Sequence, residues 1–150
     1  MPQSLAKIIV HIVFSTKNHA PCLSNDIRPG LFAYIAGILN KLDSKAILIN
    51  GVEDHVHILC LLSKNHAPCE IVEKVKTGSS KWIKTQASGP DSFQWQNGYG
   101  MFSVSQSNVE SVRRYIAEQE EHHRNVSFKE EFRKFLDKYK VQYDEKYVWG

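Results

Sequence analysis

At 150 residues, 42% hydrophobic and 11% aromatic, the chain is long enough for one well-formed core and too short for two comfortable domains. A net charge of +3 and an isoelectric point near 8.7 permit nucleic-acid binding without demanding it. Apolar runs are of strand length only, so neither a signal peptide nor a membrane span is expected; Cys22, Cys60 and Cys69 lack Cys-x-x-Cys spacing, which argues against a disulfide framework and fits a cytoplasmic location.

In chain order, the hydrophobic patterns predict a strand over 6–15, a helix over 25–42, strands over 45–52 and 55–62, a helix over 69–86, a strand over 101–106, and helices over 108–123 and 128–139. The order through the sixth element is βαββαβ. Right-handed crossovers close two such halves most simply into an antiparallel ferredoxin-like sheet with helices on one face. The expectation is therefore an α+β fold, one domain over 1–150, with 108–150 as a C-terminal helical extension carrying Tyr115.

The third strand opens on Glu53-Asp54-His55-Val56-His57. Side chains alternate along a strand, so His55 and His57 point the same way and can ligate a divalent cation. The alternative is two polar residues on the wet face of a half-buried strand. Further on, Tyr115 and Gln119 are spaced to share one helix face. A phenol can act as a nucleophile, and an amide oxygen can complete a shell begun by two imidazoles. His122 and His123 follow; either could substitute as ligand or carry a proton, but the better reading is of cations complementing a helix C-terminus.

The 69–86 helix presents Ile71, Val72, Val75 and Ile83 on one stripe, with Gly78 and Ser79 keeping its backbone close to a neighbour. Lys74, Lys76, Lys81 and Lys84 occupy the remaining surface, either as a solvated face or as phosphate contacts. Arg113 and Arg114, next to the tyrosine, are further candidate DNA contacts. Trp82, Phe93, Trp95 and Tyr99 are suited to stacking on unpaired bases or to the core. The segment 17–22, Lys-Asn-His-Ala-Pro-Cys, recurs identically at 64–69. If the first and third strands were parallel neighbours, the two loops would meet, and His19, Cys22, His66 and Cys69 would offer a tetrahedral zinc set; the alternative is coincidence between two Pro-containing helix starts.

His-hydrophobe-His followed by Tyr-x-x-x-Gln, in a chain of this length, resembles the single-tyrosine transposases of small bacterial insertion sequences, in the HUH endonuclease superfamily. The nearest branch is the IS200-like group, including its repeat-associated domesticated relatives. The opening strand Ile8–Lys17, the segments Lys76–Trp82 and Phe93–Gly100, and the tail Tyr143–Trp149 are similar to that group as well. The resemblance implies a ferredoxin-like fold and a transposase in which His55, His57 and Gln119 hold Mg²⁺ or Mn²⁺ while Tyr115 attacks single-stranded DNA, leaving a 5′-phosphotyrosine and a free 3′ hydroxyl. It also implies recognition of hairpins near element ends, and a homodimer in which the tyrosine helix can serve the partner's histidine pair. Three other readings remain: a non-catalytic single-stranded nucleic-acid-binding module, a phosphoesterase using activated water, and an inactive descendant.

Overall fold

The computed structural model describes residues 2–87 and 89–150. Its elements are β1 (Ile9–Ser15), a single 3₁₀ turn at Lys17–His19, α1 (Arg28–Lys41), β2 (Ala46–Gly51), β3 (His55–Leu61), α2 (Pro68–Thr85) and β4 (Gly100–Val104). A second 3₁₀ turn at Gln106–Asn108 leads into α3 (Val109–Ala117), α4 (Gln119–His122) and α5 (Phe128–Lys138). The strands form one antiparallel sheet in the order β2-β3-β1-β4, with Ser15 opposite His55 and Ile9 opposite Leu61. The α+β expectation, with its βαββαβ order, is met.

Both faces of the central strands are covered, and alternation sorts their side chains. Val10, Ile12 and Phe14 of β1 and Val56, Ile58 and Cys60 of β3 pack under α1 and α2, against Leu31, Ile35 and Leu39 from the one and Ile71, Val72, Val75 and Ile83 from the other. Gly78 lets those two helices approach, since a Cβ there would press on Ile38 of α1. Ser79 donates to the Val75 carbonyl at 2.6 Å and accepts from Trp95 Nε1 at 3.0 Å, so the small pair on α2 is part of the packing.

The opposite parity, Ile9 and Val13 of β1 with Leu59 of β3, faces the C-terminal helices. Val109 and Ile116 of α3 cover Ile9 and Leu59, while Phe128, Phe132 and Leu136 of α5 cover Val13 and Phe102. His11, His55 and His57 belong to this parity and are all buried. They lie beneath the C-terminal helices and not on a wet strand face.

Two expectations are corrected. The 108–123 helix is broken at Glu118, where ψ is 22°. The side-chain amide of Asn50, on β2, donates to the Ile116 carbonyl at 2.8 Å and so captures an acceptor that a continued helix would use. The second concerns the repeated loops. β1 and β3 are antiparallel, so the loops after them leave opposite ends of the sheet, and His19 and Cys22 cannot share a tetrahedral ion with His66 and Cys69. The duplicated hexapeptide is two separate helix approaches.

Among the described residues, no helix is long and apolar enough to cross a membrane.

Candidate metal and tyrosine centre

β3 is a central strand, and its first and third residues place two imidazoles under the C-terminal helices with no exposed surface. His123, after α4, and Glu131, on α5, close over them. One ligand atom from each of His55, His57, His123 and Glu131 lies within 4.8 Å of every other. His57 Nε2 is 2.9 Å from Glu131 Oε1, His55 Nε2 is 3.3 Å from the same oxygen, and His123 Nε2 is 3.1 Å from Oε2.

Each histidine commits its other nitrogen elsewhere. His55 Nδ1 donates to Asp54 Oδ1 at 2.7 Å, His123 Nδ1 donates to the Val126 carbonyl at 2.6 Å, and His57 Nδ1 is 2.7 Å from His11 Nε2. Protein metal sites orient their imidazoles through outer partners of this kind. Since Asp54 and Val126 fix protons on Nδ1, the Nε2 lone pairs of His55 and His123 converge at 3.1 Å beside a carboxylate. Such an arrangement requires a cation between them, either a proton or a metal ion. Three imidazole nitrogens and one carboxylate oxygen form an acceptable donor set for a divalent transition metal.

The electrostatics fit the same picture. Burial alone would lower the His55 pKa, but the Asp54 and Glu131 carboxylates outweigh it and push it up to about 9. For His57 burial prevails, and its pKa falls to about 4. Burial would raise the Glu131 pKa, yet the imidazoles of His123, His55 and His57 against it hold the group ionised, well below the usual carboxylate range.

Tyr115 reaches this cluster from α3 of the same chain. Its hydroxyl donates to Glu131 Oε2, and its ring centroid lies 5.9 Å from that of His57. Burial and the neighbouring carboxylate both raise the phenol pKa above its ordinary value. Gln119 is buried beside it, with Oε1 3.4 Å from His55 Nε2 and Nε2 3.4 Å from Glu131 Oε2. Despite the break at Glu118, tyrosine and glutamine stay on one side. A cavity of about 340 Å³, lined by His11, Asn108, Ser111, Phe135 and Lys138, exposes Tyr115, and a cleft lined by Arg28 and Arg124 opens onto His123.

The four chemistry-bearing residues expected from sequence thus come together. His123, favoured above as a helix-end cation, instead belongs to the cluster, whereas His122 is exposed and packs on the Tyr115 ring at 4.8 Å. Glu131 was missed. Its signal was a lone carboxylate on the apolar stripe of Phe128, Phe132 and Phe135.

The candidate DNA contacts are divided between the two sides of the sheet. Lys74, Lys81 and Lys84 are exposed on α2, opposite the histidine face, and Lys81 and Lys84 line a groove with Lys17 and Tyr99. Lys76 is engaged within the chain: its ammonium donates to the carbonyls of Gln96 at 2.7 Å, Asn97 at 3.2 Å and Gly98 at 2.6 Å, and burial lowers its pKa to about 8. It holds a loop. Arg113 and Arg114 are exposed on α3 near the tyrosine, Arg113 at 3.9 Å from Glu110. Of the four aromatics, Phe93 and Trp95 are core, Trp82 stacks on Tyr34, and Tyr99 is exposed.

The fold is shared with solved structures of low sequence identity. A crystal structure of a protein from Deinococcus radiodurans R1 assigned as a transposase superimposes with a TM-score of 0.59 at 20% identity, over 79% of this chain and 98% of that one. A REP-associated tyrosine transposase bound to a REP hairpin superimposes with a TM-score of 0.60 at 12% identity, over 84% and 74%. No curated protein matches the sequence. The family model described as "Transposase IS200 like" matches residues 4–119, which include the histidine pair, Tyr115 and Gln119. The chain therefore belongs to the IS200-like transposase family.

Proposed function

We propose that this transposase cleaves and rejoins single-stranded DNA through Tyr115, with a divalent metal at the histidine cluster. The observation that carries the reading is the meeting of a tyrosine hydroxyl with three convergent imidazoles at one buried carboxylate. His55, His57, His123 and Glu131 would hold the ion, with Gln119 beside them; Mn²⁺ and Mg²⁺ are the expected occupants, and the imidazole-rich set favours Mn²⁺ of the two. When bound, the ion supplies Lewis-acid polarisation of a phosphate.

The remaining work falls to the chain's own groups. Tyr115 is fixed by Glu131 on one side and by packing on His122 on the other, so its oxygen is presented at a set point. The phenol gives up its proton as its oxygen bonds to the scissile phosphorus; the bond from phosphorus to the 3′ oxygen breaks, and that oxygen takes up a proton and leaves as a hydroxyl. The 5′-phosphotyrosine retains the energy of the broken phosphodiester, and a new 3′ hydroxyl reverses the step on another strand. Arg28 and Arg124, in the cleft beside His123, and Arg113 and Arg114, on α3, are suited to phosphate contacts on this side; Lys74, Lys81 and Lys84 would serve DNA that passes to the α2 side. Hairpins near element ends are the expected substrates, in keeping with the hairpin-bound neighbour. The same chain supplies both tyrosine and histidines, so a homodimer could assemble without exchange of the tyrosine helix.

The test is incubation with end-labelled single-stranded DNA carrying the element's flanking hairpins and Mn²⁺ or Mg²⁺, resolved on a denaturing gel. A slow-migrating covalent adduct is expected with the native chain and not with Tyr115→Phe or after chelation. Intact DNA in every lane, with a retained complex on a native gel, would favour a non-catalytic binding module; cleavage surviving Tyr115→Phe would favour a water-using phosphoesterase.

A further inference from the structure

The Tyr115 hydroxyl donates to Glu131, a residue outside the His-x-His and Tyr-x-x-x-Gln pattern. Glu131 is 2% exposed, and its two oxygens serve different groups. Oε1 faces His57 Nε2 at 2.9 Å and His55 Nε2 at 3.3 Å, while Oε2 receives the phenol of Tyr115 and lies near His123 Nε2 at 3.1 Å and Gln119 Nε2 at 3.4 Å. A carboxylate is planar and rigid, so its two oxygens move together. The helix that presents it is fixed by Phe128, Phe132 and Leu136 against Val13 and Phe102, and begins at a Ser127 cap whose hydroxyl accepts from the Glu130 amide at 3.2 Å.

Tyr115 and the histidine pair stand on different elements, α3 and β3. Asn50 ties the end of α3 to β2 through backbone, but that contact does not touch the phenol. We propose that Glu131 is the positioning residue that couples the metal position to the nucleophile: an ion held by the imidazoles and this carboxylate would fix the carboxylate plane, and Oε2 would thereby fix where the tyrosine oxygen sits. The inference rests on the metal and tyrosine reading above and assigns to α5 a part in arming the site, beyond covering the sheet. Coupling between two sites through a shared group is reciprocal, so metal loading must be legible at Tyr115 in the absence of DNA.

The experiment places 3-fluorotyrosine at position 115 of the full chain and follows its fluorine resonance while Zn²⁺, a diamagnetic probe suited to imidazoles, is titrated in, with binding measured in parallel by calorimetry. The expected result is a resonance that shifts in step with zinc occupancy in the native background. In Glu131→Gln, the shift at equal zinc occupancy should be lost. A resonance that stays fixed while zinc binds the native chain overturns the inference whether or not the variant folds; so does a full shift retained in Glu131→Gln. Adduct formation on DNA with a zinc-insensitive Tyr115 would overturn this coupling alone, whereas failure of the native chain to bind metal or form the adduct would overturn the underlying reading as well.

Discussion

His57 shows how one residue's surroundings decide its chemistry. It is wholly buried, its Nε2 faces Glu131, and its Nδ1 meets His11, which stands diagonally across the β1–β3 ladder on the same sheet face. In the metal-free protein His57 Nε2–H donates to Glu131, so Nδ1 accepts from His11 Nε2–H. An ion on Nε2 would reverse that bond, with Nδ1–H donating to His11. The neutral, buried His11, whose pKa burial holds well below its ordinary value, can serve in either direction. His11→Ala should therefore act twice. Leaving His57 Nδ1 buried and unpaired should cost about 1–3 kcal/mol in urea unfolding. Loss of the orienting partner should weaken Mn²⁺ binding by roughly 10–100-fold in a calorimetric titration. Equal Mn²⁺ affinity in the variant and the native chain would remove His11 from the site's support.

At the scale of elements, the β2–β3 turn sets the register of the histidine pair. A Cβ at Gly51 would overlap the carbonyl oxygen of His55 and crowd Val56, both in the backbone path of β3. That carbonyl also accepts from Val52 N at 3.1 Å, so it has little freedom to retreat. Gly51→Ala should lower stability by about 1–3 kcal/mol, as an overpacked site does. It should also raise amide hydrogen exchange selectively at the start of β3; exchange unchanged there would show that the turn absorbs the methyl group elsewhere. Periodicity alone located every strand and the long helices, because their apolar spacing is local information. It could not show the break at Glu118, which depends on Asn50 reaching across from β2, nor that α3 and α5 bury the histidine face. It also misjudged His123, whose helical phase with Gln119 was visible but whose burial depends on where α5 lands. Glu131 lay in plain sight on an apolar stripe, where an unpaired carboxylate would be costly. Its histidine partners on β3, however, are far away in sequence.

Taken as a whole molecule, the sheet is held to its C-terminal helices through a charged cluster as well as through the packing of Phe128, Phe132 and Ile116, and this makes stability depend on protons and metal in opposite senses. In metal-free protein, His55 has a pKa raised to about 9 by Asp54 and Glu131 against the effect of burial. Its bound proton stabilises the fold fully below the unfolded value of about 6.5, and that contribution, on the order of 3 kcal/mol, is lost as pH rises towards 9. His57, lowered to about 4 by burial, acts in a different window: the unfolded chain binds the proton more readily, so stability falls as pH drops below about 6.5. Glu131, held ionised by its histidines, adds to the loss on the acid side. Metal-free protein should accordingly be most stable near pH 6.5. On the proposed reading a metal ion would take the place of the His55 proton, so its binding should strengthen as that proton is lost. At an Mn²⁺ concentration of about 100 times its dissociation constant, linkage adds about 2.7 kcal/mol, and that gain should grow from neutral to mildly alkaline pH. Urea unfolding from about pH 5 to about pH 8.5, with chelator and with Mn²⁺, should give two curves that diverge above about pH 6.5. Parallel curves across that interval would mean that metal and proton do not compete for His55, and the ion would have to be sought elsewhere.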